Sequence, residues 1–273
     1  MRLPSRLGLV LAALLVLATG CATGGGRPLA PASGPDQLRV ARLNYDQHQY
    51  TDAIELLKGY LQFQTGAPDL DEAHFLLGMS YIKREEWPLA ATEFQVLVTD
   101  FADSPRLADA HYWLGMAYWK QTRPAPYDQD MTRRAMGQFD RFLTLFPEHP
   151  QAQEIKQLRL TGRDRLAEKA YRNGRLYLKL HYWEPARYYF ALVRTDYPES
   201  RWAERALSGQ AAALAALGRA AEARALLDAG LPALSDPEAR RGADEILKKL
   251  GRAAPVDTSA AGPSAGAQGA SAR

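Results

Sequence analysis

Small and apolar residues in the middle of this chain recur with a helical period, and the pattern itself repeats. Between Asp71 and Ala102 the order is Leu77, Gly78, Tyr81, then Ala90 and Phe94. Spacings of three and four place such residues on one face of a helix. Trp87 and Pro88 interrupt the run, and Pro88 suits the first position of a second helix, where a missing N–H costs nothing. The segment therefore predicts a helical hairpin whose helices cross at Gly78 and Ala90, with Tyr81 and Phe94 filling the space beside the crossing. Other segments align on that alanine. Ala53 and Leu57 form a first copy, with Ala41 in place of the glycine. Leu114, Gly115, Tyr118, Ala135, Phe139 and Pro147 form a third, and Gly174, Tyr177, Ala186, Phe190 and Pro198 a fourth. A weaker fifth has Ala211 at the glycine position, then Gly218, Ala223 and Leu227. No segment sustains the period-two alternation of a strand, so the body reads as all-α.

This arrangement resembles the tetratricopeptide repeat, a helical hairpin of about 34 residues. The crossing alanines at 53, 90, 135, 186 and 223 are separated by steps of 37, 45, 51 and 37. The excess has definite places. An insertion falls around Gln121–Asp130, where Pro124 and Pro126 forbid a continuous helix. The first helix of the fourth repeat is expected to begin near Gln151 and run unusually far. A closing helix is expected from Asp236 to Leu250, with Asp236 as its cap, Pro237 as its start and Ala243, Ile246, Leu247 and Leu250 as its apolar stripe. Such arrays need a terminal cap of this kind. The predicted architecture is an all-α tetratricopeptide-repeat solenoid of about five hairpins over 36–251.

The flanks differ from the body. Arg2 and Arg6 precede an apolar run from Leu7 to Ala18, followed by Gly20 and the chain's one cysteine, Cys21. A basic start, an apolar stretch and small residues before a cut describe an export signal over 1–20. The run is shorter than the roughly 20 residues that span a bilayer. Cleavage that leaves cysteine first resembles the lipobox of bacterial lipoproteins, whose thiol and freed amine are acylated; Ala18 stands where leucine is commonest. Ala22 is not the aspartate that retains such proteins in the inner membrane in the enterobacterial pattern, which implies outer-membrane sorting. Residues 21–35 then read as the lipidated cysteine and a Gly- and Pro-rich tether with a reach of roughly 20 Å. Residues 252–273, rich in Ala, Gly and Ser, are expected to be a disordered tail.

Composition narrows the function. The formal charge of +3 loses two units with Arg2 and Arg6 when the signal is removed, which makes no case for nucleic acid. A single cysteine forbids an internal disulfide, so packing must supply stability, and a hydrophobic content of 47% suffices for a core. His48, His74, His111, His149 and His181 are scattered, with no i, i+4 pair, no HExxH and no Gly-rich phosphate loop. His74 and His111 share one repeat position, which marks them as packing residues. We expect no enzyme and no cofactor.

The outer-membrane lipobox, five repeats in about 215 residues and an insertion in the third together resemble the BamD family, the lipoprotein subunits of the β-barrel assembly machinery. The stretch Arg163-Asp164-Arg165-Leu166-Ala167-Glu168, running on to Tyr177 and Ala186 and closing at Asp196-Tyr197-Pro198, is similar to the fourth repeat of that family. Phe146-Pro147 and Tyr197-Pro198 end repeats as its Tyr-Pro pairs do, whereas Phe101-Ala102 lacks the proline. The resemblance covers about 36–250. It implies a non-catalytic scaffold, lipid-anchored to the outer membrane and facing the periplasm. Its partners would be the barrel-forming subunit BamA, other lipoproteins of the machinery, and unfolded outer-membrane proteins with a C-terminal aromatic signal. Two functions share the fold: secretin or pilus assembly, which the irregular steps disfavour, and peptidoglycan-linked envelope constriction, for which 22–35 offers no coiled-coil heptads.

The residues themselves suggest where binding would occur. Counting from the crossing alanine, the first helix of repeat 2 offers Phe75, Met79, Ile82 and Lys83, and that of repeat 3 offers Tyr112, Met116, Trp119 and Lys120. Each set lies on one helix face and is expected to form an apolar, adaptable groove, with the lysines able to meet a terminal carboxylate. A basic and aromatic set in the C-terminal half, Arg187, Tyr188, Arg194, Arg201 and Trp202 with Arg205, has the composition of an interface. The resemblance implies that BamA docks there.

Overall fold

The computed structural model describes residues 34–252. The predicted signal, Cys21, most of the tether and nearly all of the tail lie outside the described residues. Eleven α-helices and one short 3₁₀ turn make up the elements among them, with no strand. The chain divides into two compact units, one up to Thr65 and one from Gly66 onward.

The first unit is a hairpin of α1 (Gly34–Asp46) and α2 (Tyr50–Phe63). Ala41, Ala53 and Leu57 are fully buried in it. The second unit contains four hairpins and a last helix. These are α3 (Leu70–Lys83) with α4 (Trp87–Asp100), α5 (Leu107–Lys120) with α6 (Asp130–Leu145), α7 (Ala152–Lys179) with α8 (Trp183–Asp196), and α9 (Arg201–Ala216) with α10 (Ala220–Gly230), then α11 (Pro237–Arg252). All five crossing alanines, 53, 90, 135, 186 and 223, are completely buried. The all-α repeat architecture is as expected.

The crossing has a size rule. A Cβ added to Gly78 would lie 2.8 Å from the ring of Phe94, and one added to Gly115 would lie 2.7 Å from that of Phe139. Both rings are fully buried. Where the fourth residue after the crossing alanine is phenylalanine, at 94, 139 and 190, the first helix carries glycine at 78, 115 and 174. Where that residue is leucine, at 57 and 227, the first helix carries Ala41 and Ala211. Volume is conserved across the pair, which close packing demands.

The turn inside a hairpin follows a second rule. His48, Glu85, His181 and Gly218 all sit five residues before the crossing alanine, and all have φ between 59° and 79°. In each, the next residue donates its N–H to a carbonyl five residues back, as Gln49 does to Asn44 (2.8 Å) and Arg219 does to Leu214 (3.0 Å). This is the left-handed helix ending of a Schellman motif. It accounts for two histidines that looked scattered in the sequence, since histidine enters this region more readily than most residues.

Repeat 3 replaces that turn with its insertion, 121–129. Gln129 organises it from the inside. It is 2% exposed, its Nε2 donates to the Pro124 carbonyl (2.9 Å), and its Oε1 accepts from the Thr132 hydroxyl (2.8 Å). Helix α7 is 28 residues long, about 42 Å at 1.5 Å per residue. Its start at Ala152 accounts for the long step before Ala186. At the other end Asp236 caps α11 by accepting from the Glu238 N–H (2.8 Å). Ala239 and Ala243 of α11 are buried against Leu207, Leu214 and Leu227, with Ile246, Leu247 and Leu250 packed alongside.

Candidate interaction surfaces

The expected groove residues fall into three environments. Lys83 and Lys120 are exposed, Phe75, Met79, Met116 and Trp119 are half-buried, and Ile82 and Tyr112 are buried. The Tyr112 hydroxyl donates to Glu154 Oε2 (3.1 Å), and burial, followed by the neighbouring Glu154 charge, pushes it up to about 12. Helix-face spacing alone did not anticipate this. Tyr112 and Met116 pack with Phe142 and Ile155 in the core between repeat 3 and α7, so Tyr112 is a seam residue.

The two half-buried aromatic rings are not bare either. Phe75 meets Phe94 edge-on at 5.9 Å, and the Arg106 guanidinium lies 4.9 Å over its ring. Trp119 meets Phe139 at 6.1 Å, and the Arg165 guanidinium lies 4.8 Å over it. In each case an arginine from the following repeat covers the ring. Glu72 holds Arg106 in place with a 2.8 Å ion pair, and that hydrogen bond raises the guanidinium above the usual arginine range. The surface that remains on these first helices is narrower than the sequence suggested. Lys120 itself sits 5.7 Å over the ring of Trp87.

The two histidines that share a repeat position behave as packing residues. His74 Nδ1 lies 2.8 Å from Glu93 Oε2 with Phe101 beside its ring, and His111 Nδ1 lies 2.8 Å from Gln138 Nε2 with Phe146 beside its ring. Among the described residues no group of three or more His, Cys, Asp or Glu could hold a metal ion.

The basic set of the C-terminal half does not gather into one patch. Arg187 and Tyr188 lie near the start of α8, whereas Arg201 and Trp202 begin α9, at the opposite end of the antiparallel packing. Arg187 pairs with Glu184 (2.7 Å), which also reaches Arg219 (3.4 Å). Arg194 is turned inward, donating to Gln210 Oε1 (2.7 Å), and burial holds its guanidinium below the usual arginine range. Trp202 lies against Tyr171 (5.1 Å), with Arg201 and Arg205 5.0 and 5.7 Å over its ring. Arg205 pairs in turn with Asp236.

Around Tyr188 the fold assembles Tyr182 and Tyr189, which the sequence reading passed over, and Tyr177, which it took only as a repeat residue. Tyr182, Tyr177, Tyr189 and Tyr188 form a continuous series of ring contacts at 6.4, 5.4 and 5.5 Å. Tyr182 and Tyr188 are exposed, as are Leu176 and Leu180 on the end of α7. Tyrosine combines large contact area with little entropy to lose, which favours it at interfaces. The density of tyrosine between 177 and 189 was the available signal.

A succession of helical hairpins, each exposing parts of its first helix, defines a tetratricopeptide-type protein-interaction scaffold. The YfiO family, described as outer membrane lipoprotein, matches residues 80–227, and the chain belongs to that family. The match takes in most of repeat 2 and ends at Leu227 of repeat 5. Among solved structures, the MamA protein is 17% identical over 78% of this chain and 93% of its own (TM-score 0.34). TTC0263, a tetratricopeptide protein of Thermus thermophilus, is 20% identical over 78% and 98% (TM-score 0.33). The TPR2AB domain of yeast Sti1, in its pHSP90 complex, is 17% identical over 78% and 84% (TM-score 0.35). Among curated proteins no sequence matches the chain. No helix among the described residues is long and apolar enough to cross a membrane.

Proposed function

We propose that this chain is a BamD-type scaffold, anchored through acylated Cys21 to the outer membrane and facing the periplasm. In this reading residues 1–20 are removed as the signal, 21–35 form the tether, 36–251 do the binding and 252–273 form a free tail. The scaffold would bind the barrel-forming subunit BamA and the C-terminal aromatic signals of unfolded outer-membrane proteins. The observation that carries the reading is the match of residues 80–227 to an outer-membrane lipoprotein family, and the resemblance of the segment before Cys21 to a lipobox supports it.

Two surfaces divide the work. The first-helix face of repeats 2 and 3 offers Met79, Met116 and the edges of Phe75 and Trp119, with exposed Lys83, and Lys120 from its place over Trp87, to meet a carboxylate. Methionine adapts to related but unequal ligands, which suits a scaffold that serves many barrels. The tyrosine series around Tyr188, with Arg187, is the better surface for a folded partner domain. Arg201 and Trp202 lie apart from it.

Met79→Lys combined with Lys83→Glu should weaken binding of a peptide ending in a free aromatic residue by about tenfold, read by fluorescence anisotropy, while the helical circular dichroism stays unchanged. Equal affinity would remove the peptide role from this face. Affinity capture from detergent-solubilised membranes tests the assignment as a whole. Recovery of a large barrel protein is expected; recovery of a secretin or a murein synthase instead would replace the barrel-assembly reading.

A further inference from the structure

The insertion of repeat 3 folds back on α7 and forms an open cleft with it. The cleft has a volume of about 540 Å³ and is lined by Arg123, Arg165, Arg172 and Arg201 together with Asp164 and Glu168. One wall is a single stripe of α7, since 161, 165, 168 and 172 succeed one another by three or four residues. The other wall is the stretch from Thr122 to Pro126. Both walls are fixed. Lys169 Nζ donates to the Pro126 carbonyl (2.9 Å), Arg165 donates to the Thr122 hydroxyl, and Gln129 holds the Pro124 carbonyl from behind.

The charges in the cleft do not cancel. Arg201 pairs with Asp164 (3.3 Å) and Arg172 with Glu168 (2.7 Å). Arg123 and Arg165 have no carboxylate partner among the described residues. Each is instead laid over an aromatic ring, Arg123 over Tyr127 at 4.0 Å and Arg165 over Trp119 at 4.8 Å. One stands on the loop wall and the other on the helix wall. A guanidinium already held against a ring loses less freedom when its fork meets a carboxylate, and that fork matches a carboxylate with two parallel hydrogen bonds.

We propose that this cleft binds an acidic peptide segment of a protein partner, with Asp or Glu carboxylates of the segment paired to Arg123 and Arg165. The volume lies in the range of clefts that take small ligands and short segments, about 300–1,000 Å³, and excludes a folded domain. A nucleic-acid backbone is disfavoured by Asp164 and Glu168 in the same lining. Arg201, grouped by the sequence with Arg187, belongs to this cleft.

The test uses the full chain in detergent and a fluorescein-labelled, C-terminally amidated peptide of alternating Glu and Gly. Saturable binding that weakens with added salt is expected. Arg123→Gln and Arg165→Gln should each reduce affinity about tenfold, the scale of one charge-assisted contact. Arg165→Lys, which keeps the charge and loses the fork, should fall between wild type and Arg165→Gln. Arg123 is exposed, so its variant reports on binding even if Arg165→Gln loosens Trp119; thermal melts identify that case. Equal binding of a Gln-Gly peptide, full competition by millimolar phosphate, preferential binding of a single-stranded oligonucleotide, or unchanged affinity in Arg123→Gln would each overturn the assignment. The probe carries no aromatic residue, so its failure would leave the first-helix face of repeats 2 and 3 untouched.

Discussion

At the scale of single residues, the repeat is set by a volume rule that can be tested directly. Gly78→Ala gains up to about 1 kcal/mol of helix propensity, but its methyl would press on the buried ring of Phe94. Overpacking of this kind costs about 1–3 kcal/mol, so the variant should lower the unfolding midpoint. Phe94→Leu alone leaves a void and is also destabilising. Together they recreate the Ala41–Leu57 pair of repeat 1. The double variant should therefore be more stable than the sum of the singles by roughly 1 kcal/mol or more in denaturant titrations. Simple additivity would mean that the pairing of glycine with phenylalanine is accidental. A second residue sets an acid limit. His111 is 4% exposed, and burial first, then Arg141, holds its imidazole below the ordinary value of about 6.5. The native state prefers the neutral ring, while the unfolded chain takes up a proton below about pH 6.5. The stability this group contributes is thus complete above that pH and is lost as pH falls beneath it. His111→Gln should flatten the dependence of the melting midpoint between pH 7 and 5. The acid loss at lower pH, where carboxylates such as Asp236, held below the usual carboxylate range by Arg205, become protonated, should remain. An unchanged slope between pH 7 and 5 would place that sensitivity elsewhere.

At the scale of elements, hairpins, insertion, long helix and cap were readable because each rests on local signals: the spacing of small residues, paired prolines, a step length, an Asp-Pro start. What the chain does with those elements was less readable. The left-handed residue in each regular turn shows its usual glycine only at Gly218; at His48, Glu85 and His181 the backbone accepts a side chain because the turn hydrogen bonds dictate it. Helix-face spacing placed Ile82 and Tyr112 toward a groove, but a neighbouring element can cover such a face, as α7 does through Glu154 and Ile155 at Tyr112. The covering of Phe75 and Trp119 by Arg106 and Arg165 spans contacts too distant in sequence for a periodicity to reveal. The insertion is the clearest case. Its position follows from Pro124 and Pro126, yet its ordered form draws on contacts no periodicity shows, above all Gln129, an amide buried and bonded to the loop it closes, with Arg165 and Lys169 holding the loop from α7. Replacing Gln129 with alanine would leave the buried Thr132 hydroxyl without its acceptor, at a cost of about 1–3 kcal/mol if it stays unpaired, while the Pro124 carbonyl keeps the Tyr127 N–H (3.0 Å). Gln129→Ala should speed amide hydrogen exchange over 121–130 severalfold while α9 and α11 keep their protection. Uniform acceleration across the chain would show instead that the loop supports the whole array.

At the scale of the whole molecule, anchoring and folding are expected to be separable. In a repeat array each hairpin draws its stability from itself and its immediate neighbours, and the closing helix seals the last one with Ala239 and Ala243. The body's core consists of helix crossings far along the chain from Cys21. A tether of that composition would allow the body to sample roughly 20 Å around its anchor, enough to turn without leaving the surface. Several acyl chains hold far more firmly than one, whose grip is marginal, so the proposed lipid would fix the location without touching the fold. Cys21→Ala should then give a protein with the helical spectrum and melting midpoint of the wild-type body, and with the same affinity for the aromatic-terminated peptide. In cell fractionation it should leave the outer-membrane fraction and accumulate as unprocessed precursor. A variant that stays with the outer membrane would locate the anchor elsewhere in the chain. One that melts earlier would show that the first residues of the mature protein take part in the fold as well as in its placement.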